Sequence, residues 1–185
     1  MIRPFKNSAT FRSWLKRNHR SSEGIWIQIF KANSGKTTVT YAQALDEALC
    51  FGWIDGQKKK YNEISWLQRF CPRRKKSGWS KTNQKHVARL IKAKKMTPAG
   101  LEAVNAAKTD GRWKQAYNSP ANLKIPSYFM SELKKHKKAK AFFDTLNRAN
   151  LYTISYRLET AKKPETRARR MKVILEHLKA GKKFH

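Results

Sequence analysis

Side chains able to do chemistry gather where three stretches of the sequence end. Ala48-Leu49-Cys50-Phe51-Gly52-Trp53-Ile54-Asp55-Gly56 is an apolar run that closes on a carboxylate. Arg69 falls near the end of an alternating run and leads into Cys71-Pro72-Arg73-Arg74. Trp79-Ser80 precedes a helical pattern that carries Asn83. Trp53, Asp55, Arg69, Arg73, Arg74, Trp79, Ser80 and Asn83 therefore make a candidate anion- or ligand-binding site. Arg73 and Arg74 offer planar forks for a phosphate or carboxylate. A helix that begins at Ser80 points free N–H groups at an anion. Trp79 adds a stacking face. The competing reading is structural: Asp55 pairs with an arginine and fixes a hairpin.

Acid–base catalysis has thinner support. The catalytic candidates are Asp55 and His86, with Glu47 one helical face away. His86 sits beside Lys85 on a polar face and reads as solvated. Cys50 has no evident activating histidine. His19, His136, His177 and His185 are scattered, and Cys50 and Cys71 form no CxxC or Cys/His metal spacing. Ser34-Gly35-Lys36-Thr37 lacks the upstream glycine of a phosphate loop. The expectation is a protein without metal or cofactor that binds rather than catalyses; the alternative is a small-molecule-binding protein or enzyme that uses a pocket around Asp55, Arg69 and Trp79.

The charge says what it would bind. The chain has 42 basic and 12 acidic side chains, a net +30. Residues 58–98 hold fourteen basic side chains against one acidic, and residues 127–185 hold sixteen against five. Such a field attracts nucleic acid, an anionic surface or an acidic protein partner. Lys58, Lys59, Lys60, Lys75, Lys76, Arg167, Arg169 and Arg170 are the expected polyanion contacts, with Trp66 or Trp79 available for stacking. The alternative is a source whose proteins are basic in general. A helix-turn-helix reading around Ala161-Lys162-Lys163-Pro164 is disfavoured, because the turn has no glycine and its arginine-rich first turn opposes the helix dipole.

The elements that must hold these residues follow from pattern. Ser8 caps a helix with Phe11, Trp14 and Leu15 on one face. Ile25–Phe30 is β-branched and aromatic and reads as a buried strand. Thr40 and Gln43 are spaced as a capping box, opening a helix that runs to Asp55-Gly56. Gln57–Tyr61 and Glu63–Phe70 are the arms of a hairpin, and Pro72 ends its second strand. Trp79-Ser80 starts a helix faced by Val87, Leu90 and Ile91. Thr97-Pro98 starts another, carrying Leu101 and Val104. Prolines and polar residues from Trp113 to Pro126 read as a linker or strap. Four short helices follow, the last with a Met171, Ile174, Leu175 and Leu178 stripe ended by Gly181. The fold class is α+β: an N-terminal helix, strand and hairpin domain with helices on a small sheet (1–118), then a C-terminal all-helical bundle (119–185). No run is long and apolar enough for a membrane span, and no signal-peptide pattern is present, so a cytoplasmic protein is expected.

Four blocks carry a family resemblance. They are Ala48–Gly56; Arg69-Phe70-Cys71-Pro72-Arg73-Arg74 with Ser77, Trp79, Ser80 and Asn83; Met96-Thr97-Pro98-Ala99-Gly100-Leu101; and Ala161-Lys162-Lys163-Pro164-Glu165-Thr166-Arg167-Ala168-Arg169-Arg170. In this order they resemble the bacterial YdeI/OmpD-associated family, also called bacteriocin-protection proteins. The resemblance implies a cytoplasmic protein tied to envelope stress and antimicrobial-peptide resistance. It implies no catalytic residues and no cofactor. This chain is more basic than that family.

Overall fold

The computed structural model describes residues 2–184. They form two compact units, one of Met1–Trp79 with Asn83–Gln115 and one of Ser80–Thr82 with Ala116–His185. The first is built on a four-stranded sheet of order β1-β2-β4-β3. Strand β1 (Ile2–Pro4) lies parallel to β2 (Ile25–Phe30), and β2 is antiparallel to β4 (Ser65–Pro72). Strand β3 (Trp53–Asn62) closes the hairpin with β4. Helices α1 (Ser8–Asn18), α2 (Tyr41–Cys50), α3 (Lys81–Lys92) and α4 (Pro98–Thr109) complete the order in this part of the chain. All six tryptophans, at 14, 26, 53, 66, 79 and 113, belong to the first unit.

Alternation on β2 sets which face of the sheet is covered. Ile25, Ile27 and Ile29 are buried, while Trp26, Gln28 and Phe30 are half-buried. Their register partners Phe70, Gln68 and Trp66 share that inner face, since opposed residues of an antiparallel pair point the same way. Phe11 from α1 meets Phe70 at 5.8 Å between ring centroids, and Trp14 meets Trp53 edge-on at the same separation. The N-cap of α1 is Asn7, one residue before the expected Ser8, with a capping box to Thr10. Thr40 and Gln43 form the expected box on α2, and Thr97 caps α4 with Pro98 in its first turn. Ile91 and Leu101 are not core residues; α3 buries Asn83, Val87 and Leu90, and α4 buries Gly100, Val104 and Ala107.

The helix expected to reach Asp55-Gly56 stops at Cys50. Phe51 and Gly52 N–H groups donate back to Ala48 and Leu49, and Gly52 takes φ +73°, the left-handed terminator for which glycine has no steric penalty. The chain then leaves as strand, with Trp53 opposite Pro72 and Ile54 opposite Cys71. Gly52 is thus a terminator, and it is also closely packed: a side chain there would press on the Ala99 carbonyl at 3.0 Å. The short strand β1 had no sequence signal, being three residues that include a proline.

The second unit holds four helices, α5 (Ser127–Lys134), α6 (Lys137–Asp144), α7 (Arg148–Glu159) and α8 (Pro164–Lys179). Phe129, Leu133, Ile154 and Ile174 are fully buried at its centre, with Phe143, Leu158 and Leu178 around them. Asn147 caps α7 through the Asn150 N–H, and Gly181 ends the last helix at φ +65°. Tyr128 and Tyr156 are exposed, so they do not extend this core.

Candidate functional site

Three of the eight predicted ligand residues meet. Trp53, Arg73 and Arg74 line a cleft of about 530 Å³ in the first unit. Its base is apolar, formed by buried Phe51 and Trp53 with Pro72. One wall is α4, which presents Ala99, Ala103 and Ala106 at one-turn spacing. Around it stand Arg20, Arg73, Arg74 and Lys75, together with Glu102. Asp110 and Arg112 also line it but neutralise each other, with Arg112 Nε 2.6 Å from Asp110 Oδ2 and its Nη1 on the Ser77 carbonyl.

Local bonding fixes this geometry. The Arg73 N–H donates to the Gly52 carbonyl, tying the loop after β4 to the turn after α2. The Arg73 guanidinium lies 3.5 Å above the Trp79 ring and donates to the Gly78 carbonyl. Trp79 is therefore a platform beneath the arginine; it is itself buried, with no hydrogen-bond partner for its Nε1 among the described residues. Trp53 Nε1 donates to the His19 carbonyl at 3.1 Å, which holds the end of α1 against the cleft. The His19 Nδ1 lies 2.9 Å from the Leu15 carbonyl. Because a carbonyl only accepts, Nδ1 carries the proton in the neutral ring, and Nε2 is the remaining acceptor.

The other predicted residues lie elsewhere. Asp55 is on β3 and accepts a 2.8 Å hydrogen bond from the Tyr41 hydroxyl. Its partner is a tyrosine, not the arginine that the structural reading proposed. Burial, then the Asp55 charge, raises the Tyr41 phenol well above its ordinary range. Arg69 reaches the Glu23 carbonyl beside Gly24. Ser80 bridges in parallel to Tyr117, and the Lys81 N–H is taken by the Tyr117 carbonyl. That bond spends one of the helix-start donors that an anion would have used. Asn83 is buried.

The catalytic candidates do not assemble. His86 meets Asp46, not Asp55, at 3.2 Å, and Arg89 grips the same carboxylate at 2.6 and 2.8 Å. His86 is part of a partly buried ionic cluster rather than solvated on a polar face. Glu47 is bound by Arg12 at 2.7 Å. Burial pushes the Cys50 thiol up, against the opposing pull of Arg12, so it is not an activated nucleophile. Among the described residues, no group of three His, Cys, Asp or Glu side chains is placed to hold a metal ion. His185 lies outside the described residues.

The expected polyanion contacts divide. Lys58 sits 4.9 Å over the Trp66 ring and Lys59 sits 4.8 Å over the Trp26 ring, on opposite faces of the sheet. Lys60 pairs with Glu63 at the hairpin tip in an exposed bridge. Lys75 and Lys76 are exposed in the loop after β4. In the second unit Arg167 lies over Tyr128, while Arg170 donates to the Arg157 carbonyl and the Thr160 hydroxyl at the end of α7. Only Arg169 of that trio has no partner among the described residues, which leaves α8 poorly equipped as a recognition helix. The sequence reading missed His19, Arg20 and the alanine wall. The Ala99, Ala103 and Ala106 spacing was the available signal.

These features define an α+β sheet unit with a cation-rimmed cleft, followed in the chain by a helical unit. The chain belongs to the family of a domain of unknown function (DUF8412), whose model matches residues 3–103. Residues 122–181 match a second model, described as Bacteriocin-protection, YdeI or OmpD-Associated. The resemblance to that family is therefore found in the helical part of the chain, and the three N-terminal blocks fall within the first match. No curated protein and no solved structure matches the chain.

Proposed function

We propose that this protein is a non-catalytic binder of anionic polymers, with single-stranded nucleic acid as its partner. The supporting observation is the β3–β4 hairpin with its neighbour β2, where Lys58 over Trp66 and Lys59 over Trp26 pair a cation with an aromatic ring on each face. A flexible strand needs that combination: ammonium groups for phosphates and rings on which bases stack. The net +30 supplies the long-range attraction. The setting we propose is cytoplasmic and linked to antimicrobial-peptide resistance. The description of the model matching residues 122–181 supports only the second part.

The test is a titration with a labelled single strand, and with the matching duplex, over a salt series. Log affinity should fall linearly with log salt. Trp66→Ala should weaken single-strand binding by about five- to 150-fold, in line with a lost stacking contact of roughly 1–3 kcal/mol. Absence of binding even at low salt ends this reading. Binding that Trp66→Ala and Lys58→Ala leave unchanged removes the hairpin from it.

A further inference from the structure

The cleft has properties that polymer binding on the hairpin does not use. It is concave, its base is aromatic and aliphatic, and its α4 wall is kept low by alanines. At its rim Arg20, Arg74 and Lys75 have no ion-pair or hydrogen-bond partner among the described residues. Arg73 beside them is already oriented by its stack on Trp79 and its bond to Gly78. Set against Arg20, Arg74 and Lys75 is one carboxylate without an ion pair, Glu102. Like charges gathered around an apolar hollow repel one another, and a dianion seated among them would relieve that repulsion. A pre-oriented arginine fork also lowers the ordering cost of binding.

We propose that this cleft is a binding site for a small phosphate monoester carried on a flat apolar group. The apolar body lies on Phe51, Trp53 and the α4 alanines, and the phosphate meets Arg73, Arg74 and Lys75. A phosphate fits better than a carboxylate because its two charges match the excess of Arg20, Arg74 and Lys75 over Glu102. The chemistry is recognition, with no bond made or broken.

The experiment is calorimetric titration of the full chain with naphthyl phosphate, naphthol and inorganic phosphate. Naphthyl phosphate should bind at least about tenfold tighter than either fragment, since each lacks one half of the recognition. Ala106→Trp places a large side chain in the cleft from an exposed helix position and should abolish binding. Arg74→Ala should weaken binding about tenfold, while Arg169→Ala, an equal loss of charge in the second unit, should leave it unchanged. Equal affinity for naphthol, indifference to Ala106→Trp, or equal effects of Arg74→Ala and Arg169→Ala would each overturn the proposal. The site stands apart from the hairpin: single-strand affinity should survive Ala106→Trp, so either reading can fail alone.

Discussion

Gly100 leaves no room for a side chain. It sits in the first turn of α4, and a Cβ there would overlap the carbonyl oxygen of Cys50, with the carbonyl carbon at 2.7 Å and Met96 Cε at 2.9 Å. The obstacle is backbone at the end of α2, so no rotamer change relieves it. Relief requires α4 to withdraw, which breaks the two bonds that Thr97 makes to the same oxygen: its N–H at 3.1 Å and its hydroxyl at 2.6 Å. Overpacking costs about 1–3 kcal/mol, and the two bonds about 1 kcal/mol each. Alanine returns about 1 kcal/mol of helix propensity. Gly100→Ala should therefore destabilise by about 3 kcal/mol. The control is Gly56→Ala, where the nearest atoms are 3.7 Å or more away and φ is not left-handed; it should shift stability by no more than about 0.5 kcal/mol. Urea unfolding followed by tryptophan emission measures both. A Gly100→Ala protein within about 1 kcal/mol of the parent would refute the close approach of α4 to α2.

Three further outcomes follow from the same geometry. Burial and then Asp55 raise the Tyr41 phenol, while burial and then the charges of Tyr117, Tyr156 and Glu159 push Tyr152 up to about 12. The unfolded chain therefore loses these protons first. The stability they confer is complete below the ordinary tyrosine value of about 10 and drains away as pH rises through the folded values. Urea midpoints at rising pH should fall, and Tyr41→Phe should flatten part of that fall. Phe129→Ala empties a fully buried site in a small helical unit and should cost it about 3–5 kcal/mol. Circular dichroism should lose helix while tryptophan emission stays unchanged. Thr40→Ala removes the acceptor for the Gln43 N–H and should destabilise by about 1 kcal/mol, whereas Thr40→Ser should be nearly silent in the same urea titration.

Local signals were legible because they rest on one or two residues. Thr40 with Gln43, Thr97 with Pro98, and the Ile25–Phe30 alternation each have one inexpensive conformation. The Ala48–Gly56 run was misread for a physical reason: the buried end of a helix and the buried start of a strand are both apolar, and periodicity does not separate them over so few residues. Gly52 was the deciding residue, and it serves as a left-handed terminator. A helix continued to Asp55 sets that carboxylate among the arginines, whereas the strand that begins at Trp53 carries it to Tyr41. Register then placed Arg69 beside Gly24, a fact of strand pairing that no local pattern carries. Arg73 and Arg74 reach the cleft because Pro72 pairs with Trp53 and the Arg73 N–H is tied to the Gly52 carbonyl. The wall of the cleft was not recoverable, because Ala99, Ala103 and Ala106 contribute by being small.

Twelve carboxylates can neutralise at most twelve of the forty-two cations, so the folded chain carries a large uncompensated charge in a compact volume. Self-repulsion of that kind loosens the native state, and dissolved salt relieves it by screening. Added salt should thus raise the melting temperature of the free protein while it weakens attachment to an anionic polymer. On the proposed function the two responses cross: the fold would be least secure under the conditions where the polymer would hold most tightly. Under the proposed function a bound strand would supply the missing counter-charge, acting as a stabiliser of the fold as well as a ligand.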